Sequence, residues 1–179
     1  MRVIAGTAKG RRLQGPKDAD TRPMTDRAKE ALFSSLGRAV EGARVLDLFA
    51  GSGSLGIEAL SRGAVSVIFV ERHRRALQAL RRNLAATGLE GSVVAEEAGH
   101  YLRRADGGVD LAFVDPPYAL SLASVEEILR NLSPLLAEGA QVIVHRRAGQ
   151  PAPQAPGLGL TDRRRYGDSE LWRYQREAP

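Results

Sequence analysis

The sequence predicts an α/β fold, a mostly parallel sheet of seven strands with helices on both faces. Three observations lead there. Runs that are apolar almost throughout, such as "RVLDLF" (44–49), "VSVIFVE" (65–71) and "VDLAFV" (109–114), alternate with helical stretches. Strands of that kind belong to parallel sheets covered on both sides. A glycine-rich turn, "AGSGSLG" (50–56), follows the first of these runs and opens a helix. The length, 179 residues with 43% hydrophobic content, suits one domain with one substantial core.

The elements can be justified in order. Residues 1–16, "MRVIAGTAKGRRLQGP", read as a short hairpin with a glycine-bounded basic turn. Residues 17–24 are polar and include Arg22-Pro23. Thr25 is a helix N-cap, with Asp26 in the first turn and Ala28, Leu32, Phe33 and Leu36 forming an apolar side. From residue 42 strands and helices alternate: strand 44–49, helix 54–63, strand 65–71, helix 73–88, strand 92–96, helix 98–104, strand 109–114, helix 122–136 interrupted or ended at Pro134, and strand 140–147. Residues 148–160 are rich in Pro, Gly and Ala and read as a surface connection. "TDRRRYGDSELWRYQR" (161–176) reads as a hairpin turning at Gly167-Asp168, which adds an antiparallel strand. Residues 1–40 form a basic N-terminal extension, and 41–179 the main domain.

Composition excludes several classes. Cysteine is absent, which removes disulfides, zinc–thiolate sites and cysteine nucleophiles and fits a cytoplasmic protein. Three separated histidines make a histidine metal site unexpected, so no metal is expected. No apolar run is long enough to span a membrane, and the N-terminus turns charged too soon for a signal peptide. The net charge is +5. Residues 1–40 hold nine basic and four acidic side chains, so the whole excess lies there. That suggests a face for a polyanion, with Lys9, Arg11, Arg12, Arg22 and Arg27 as candidate contacts. A solvated, arginine-rich surface is the other reading of the same charges.

The glycine turn carries the first chemical signal. Gly51 and Gly53 allow the backbone to turn where a ligand comes close. In a doubly wound sheet, ligands bind at the carboxyl ends of the strands. Glu71 ends the next strand, where an acid can accept both ribose hydroxyls. Asp47, just before the turn, would repel a pyrophosphate but suits the amino group of a methionine moiety. The pair favours S-adenosylmethionine over a dinucleotide, although Gly51, Gly53 and Gly56 fit G-x-G-x-x-G spacing. No P-loop pattern occurs.

"VDPPY" (114–118) carries the second. The exocyclic amine of a nucleobase is a poor nucleophile because its lone pair is delocalised. Two acceptors that take its N–H groups hold it and make it more tetrahedral. Asp115 supplies one, and the Pro116 carbonyl, stiffened by Pro117, supplies the other. Tyr118 can stack on the base. A strand merely ended by Asp and a Pro-Pro turn is the competing reading, and it leaves the adjacent glycine loop unexplained.

"VLDLFAGSGSLGIEAL", "FVER" and "VDPPY" together are similar to the amino-methylating class I S-adenosylmethionine-dependent methyltransferases, a Rossmann-like fold. With "RVIAGTAKGRRL", "TRPMTDRAKEALFSSL" and "RRYGDSELWRY", nearly the whole chain resembles the bacterial 16S ribosomal RNA guanine-N2 methyltransferases that act on the guanine conventionally numbered 966. The resemblance implies cofactor contacts from Thr25, Asp47, Phe49, Ala50, Gly51, Ser52, Gly53, Glu71, Arg72 and Asp115, with Asp115, Pro116, Pro117 and Tyr118 at the reacting amine. Glu97, before Ala98, stands where such folds often hold an Asp against adenine, so an adenine contact there departs from the pattern. His145 stands where members often carry an acid, and no role is assigned to it. The expected product is S-adenosylhomocysteine. The expected partner is 16S ribosomal RNA, naked or in 30S particles, with a monomer as default. A DNA adenine or cytosine amino-methyltransferase and a non-catalytic RNA-binding protein of the same fold are the alternatives. A dinucleotide oxidoreductase is disfavoured by Asp47.

Overall fold

The computed structural model describes residues 1–15 and 24–177. Its helices are α1 (Asp26–Leu36), α2 (Ser54–Ser61), α3 (Arg74–Thr87), α4 (Ala98–Leu102) and α5 (Leu122–Leu132). Its strands are β1 (Arg44–Leu48), β2 (Ser66–Glu71), β3 (Ser92–Ala95), β4 (Val109–Val114), β5 (Leu136–Arg147), β6 (Leu158–Tyr166) and β7 (Ser169–Arg176). They form one seven-stranded sheet in the order β3-β2-β1-β4-β5-β7-β6. The first five are parallel, and β7 runs antiparallel between β5 and β6.

The expected α/β architecture is therefore present, with differences that have physical causes. The helix after β4 ends at Leu132, and Pro134 sits in a 3-10 turn over Ser133–Leu135, because proline cannot donate to the helical ladder. β5 begins at Leu136 rather than 140 because Leu136 pairs with Val109 ahead of a register shift. Residues 158–160, expected in the connection, open β6 by pairing with β7. The N-terminal hairpin is present: Val3 N–H donates to the Arg11 carbonyl, Gly10 N–H to the Val3 carbonyl and Leu13 N–H to the Met1 carbonyl, around an antiparallel bridge between Arg2 and Arg12. Other amides of this hairpin tie it to α2: Ile4 and Ala5 donate to Glu58, and Thr7 donates to the Ser61 carbonyl.

Strand alternation divides the core in two. Val45, Phe69, Leu111, Phe113 and Ile143 face α1, α2, α3 and the N-terminal arm, whose Val3, Ala8 and Leu13 are buried in the same cluster. Leu46, Val70, Ala112, Val114 and Val144 face α4 and α5 on the other side. Phe33 of α1 meets Phe113 with ring centroids 5.7 Å apart. Among the described residues no helix is long and apolar enough to cross a membrane.

From β1 the chain winds to β2 and β3 on one side, and β4 and β5 lie on the other. The gap between the carboxyl ends of β1 and β4 is thus the topological switch point, where such sheets bind ligands.

Candidate active site

Three strand ends are pinned together at this switch point. Asp115 N–H donates to the Leu48 carbonyl at 3.4 Å, and Ala50 N–H to the Val70 carbonyl at 3.0 Å. The loop after β1 thus lies between the ends of β2 and β4. Phe49 adopts φ 60°, a left-handed conformation that costs a non-glycine residue about 1–3 kcal/mol and tends to persist at functional sites.

The glycines of the loop do different jobs. A Cβ on Gly51 would meet nothing nearer than the Phe49 carbonyl oxygen at 4.0 Å, so that side of the loop is open. A Cβ on Gly53 would lie 2.3 Å from Leu80 Cδ1. Gly53 therefore admits a side chain of α3, and only Gly51 has the open approach expected of both. Asn83 of α3, 1% exposed, donates to the Ser52 carbonyl at 2.9 Å. Its amide also exchanges hydrogen bonds with the Gln14 backbone, accepting at 2.8 Å and donating at 2.9 Å. One buried amide thus joins the loop to the N-terminal arm.

Three carboxylates line the switch. Glu71 accepts from Gly51 N–H through Oε2 at 2.9 Å and from His73 N–H through Oε1 at 2.7 Å. Asp47, 1% exposed, accepts from Gly56 N–H at 2.9 Å and anchors the start of α2. Burial pushes the Asp47 carboxyl up to about 8; the Gly56 hydrogen bond opposes this, and the charges of Asp115 and Glu71 add to it. Asp115 is 30% exposed at its side chain. Such a set raises the local demand for positive charge, so its chemistry fits a cationic ligand and not a pyrophosphate.

After Asp115, Pro116 is buried, while Pro117 and Tyr118 are half-buried beside it. The Pro117 carbonyl accepts from Leu120 N–H at 2.9 Å, closing the turn. His145 meets Asp115 across the sheet, with Nδ1 2.8 Å from Oδ1. Its ring centroid is 6.2 Å from that of Tyr118. Nothing local in the sequence signalled this contact, because the two residues lie 30 positions apart.

A family model described as "Conserved hypothetical protein 95" matches residues 1–175. The chain belongs to this family. The Bacillus subtilis protein YlbH is 38% identical over 173 residues, covering 93% of this chain and 94% of its own. The Ribosomal RNA small subunit methyltransferase D of Escherichia coli is 35% identical over 180 residues, covering 99% of this chain and 91% of its own. A solved structure, yhhF from E. coli, superposes with a TM-score of 0.89 at 34% identity, over 100% of this chain and 99% of that one. The seven-stranded sheet is that of methyltransferases.

The region shared with the Conserved hypothetical protein 95 family begins at residue 1, so the basic arm lies within it. In the arm Lys9, Arg11 and Arg12 are exposed, as is Arg27 on α1. Arg2, Lys9, Arg27 and Glu30 line one groove between arm and helix. Arg22 lies outside the described residues. Thr25 caps α1, its hydroxyl accepting from Ala28 N–H at 3.2 Å. Arg72 is exposed next to Glu71. Glu97 caps α4 with both carboxylate oxygens, accepting from Gly99 and His100 N–H at 3.0 and 2.8 Å, with Ala98 buried behind it.

Sequence reading passed over the pair that docks the arm. Lys29 and Glu58 are both fully buried, with Nζ 3.5 Å from Oε2. Lys29 donates to the Arg2 carbonyl at 2.6 Å and the Ser54 hydroxyl at 3.1 Å. Glu58 accepts from Ile4 and Ala5 N–H and from Arg62 Nε. Burial holds the Lys29 ammonium below its ordinary pKa, against the opposing pull of Glu58. A lysine inside "DRAKEALF" with a glutamate inside "LGIEAL" was the available signal: each sits on an otherwise apolar helix face.

Proposed function

We propose that this chain is an S-adenosylmethionine-dependent methyltransferase that modifies the exocyclic N2 amine of a guanine in 16S ribosomal RNA. One observation carries the reading: an acid-lined glycine loop and the Asp115-Pro116-Pro117-Tyr118 turn face each other across one switch point. The name of the E. coli relative supports ribosomal RNA as the substrate class.

S-adenosylmethionine, when bound, supplies a methyl group on a sulfonium, and the product is S-adenosylhomocysteine. Phe49, Ala50, Gly51, Ser52 and Gly53 form the cradle for it, with the open approach at Gly51. Glu71, beside the Gly51 amide, takes the ribose hydroxyls; Asp47, held protonated by burial in the folded chain, loses that proton as the ammonium arrives, and Asp115 borders the cofactor at its methyl end. Thr25, Arg72, Glu97 and Ala98 complete the surrounding wall. Because Glu97 already spends both oxygens on α4, its side chain shapes the adenine end through the helix it caps.

At the amine, Asp115 and the Pro116 carbonyl accept the two N–H groups, and Tyr118 stacks on the base. Catalysis is mainly positioning: an amine held in line and partly relieved of conjugation reacts faster. Residues 1–40 act as the RNA-facing extension, with Lys9, Arg11, Arg12, Arg22 and Arg27 on phosphates. The remaining residues, 41–179, act as the transfer domain.

The test supplies labelled S-adenosylmethionine with naked 16S RNA, 30S particles, DNA and protein, and maps the labelled atom. Label on guanine N2 in the RNA, naked or in particles, is the expected result. Label in DNA with none in RNA would overturn the substrate assignment.

A further inference from the structure

His145 is held at the end of β5 in a position that the roles above leave unused. Its side chain is 4% exposed, and Nδ1 lies 2.8 Å from Asp115 Oδ1. Its Nε2 is buried without a hydrogen-bond partner among the described residues. Asp115 Oδ2 makes no hydrogen bond among the described residues, and the side chain is 30% exposed. One carboxylate oxygen is therefore engaged by the histidine and the other is left for a ligand.

We propose that His145 is a positioning residue for methyl transfer, holding Asp115 Oδ1 so that Oδ2 is presented to the amine. This rests on the reading of Asp115 as the amine acceptor. A carboxylate on a single strand end can rotate about its Cβ–Cγ bond. A donor fixed in the next strand removes that freedom before substrate arrives, and preorganised groups need no rearrangement during reaction. The same ring lies against Tyr118, so one side chain orders both the acceptor and the stacking platform. β5 can deliver this donor because Val144 pairs with Val114 of β4 and His145 with Leu171 of β7, so the strand end is held on both edges.

The neighbours of His145 are few in kind. Asp115 faces it from the end of β4, Tyr118 from the following loop, and Leu171 from β7. Arg146, on its own strand, turns away to the Leu120 carbonyl. Among the described residues Asp115 is the one charge that acts on the imidazole. Burial disfavours the imidazolium, but the charge of Asp115 and its hydrogen bond outweigh burial and hold the pKa above the ordinary 6.5. While protonated, His145 draws charge from Asp115; once neutral it still donates through Nδ1 and leaves the carboxylate its full strength for the amine. The kcat should therefore rise as pH passes through this titration.

The experiment compares wild type, His145→Asn and His145→Ala as full chains, with folding checked by thermal melting and cofactor affinity by calorimetry. Asparagine keeps a donor near the Nδ1 position but does not titrate. His145→Ala should lower kcat about 10- to 100-fold with the RNA KM and the cofactor Kd within about two-fold. His145→Asn should recover most of the turnover, and its kcat should lack the wild-type pH step above 6.5. Wild-type turnover in the alanine variant, or a retained pH step in the asparagine variant, overturns the proposal. Should the alanine variant fail to fold, the asparagine pH profile decides alone. The substrate survey with wild type is run first. Transfer to DNA instead of RNA overturns the substrate assignment while leaving these variants readable on DNA amines, and transfer to no substrate overturns both.

Discussion

Glu71 at the end of β2 accepts the Gly51 amide at 2.9 Å, so the acid expected at a ribose also holds the loop expected at the methionine end. Its other oxygen takes the His73 amide. Replacing Glu71 thus removes an acceptor and loosens the cradle together. Glu71→Ala should weaken S-adenosylmethionine binding by about 1.5–3 kcal/mol, the range for losing hydrogen bonds to a charged acceptor. Calorimetry checks this, and unchanged affinity would move the ribose site elsewhere.

Asp115→Ala should lower kcat by at least about 100-fold while cofactor affinity stays within a few-fold, because the lost contact is made in the reacting complex. Single-turnover transfer at saturating RNA is the measurement. Most of the wild-type rate surviving would show that another group orients the amine.

Lys9, Arg11 and Arg12 are exposed, and the arm is docked by its backbone and by Val3, Ala8 and Leu13. Neutralising all three should leave fold and cofactor binding intact and weaken RNA binding. Each lost phosphate contact should lower the salt slope by up to about 0.7–0.9. Affinity across a salt series reads this out, and coincident plots for wild type and variant would return the arm to a solvated surface.

Asp47 makes stability depend on pH. Its carboxyl is raised to about 8 in the folded chain, above its ordinary 3.8. Between these values the folded state binds the proton and the unfolded state does not, so stability falls as pH rises, by up to about 1.4 kcal/mol per pH unit. Asp47→Asn keeps an acceptor for Gly56 N–H without the titration. Denaturant melts at pH 5, 6.5 and 8 should therefore show wild type losing ground to the variant as pH rises; parallel curves would count against a neutral buried carboxyl.

Much of the site was legible from sequence because it is encoded locally. Apolar runs, a glycine turn and Asp-Pro-Pro-Tyr each fit within a few residues, and the order of strand, turn and acid follows from them. Thr25 as cap and Asp115 at the end of β4 needed nothing distant. What the tertiary structure decided are pairings between residues far apart in the chain. Asn83 reaches back 69 positions to Gln14 and 31 to Ser52. Glu58 takes an amide 54 positions earlier, which docks the N-terminal hairpin on α2. His145 finds Asp115 only because β5 is laid beside β4 in one register. Periodicity says which face of an element is buried; which polar group meets another on that face depends on strand order and register, and these are fixed only when the whole sheet closes.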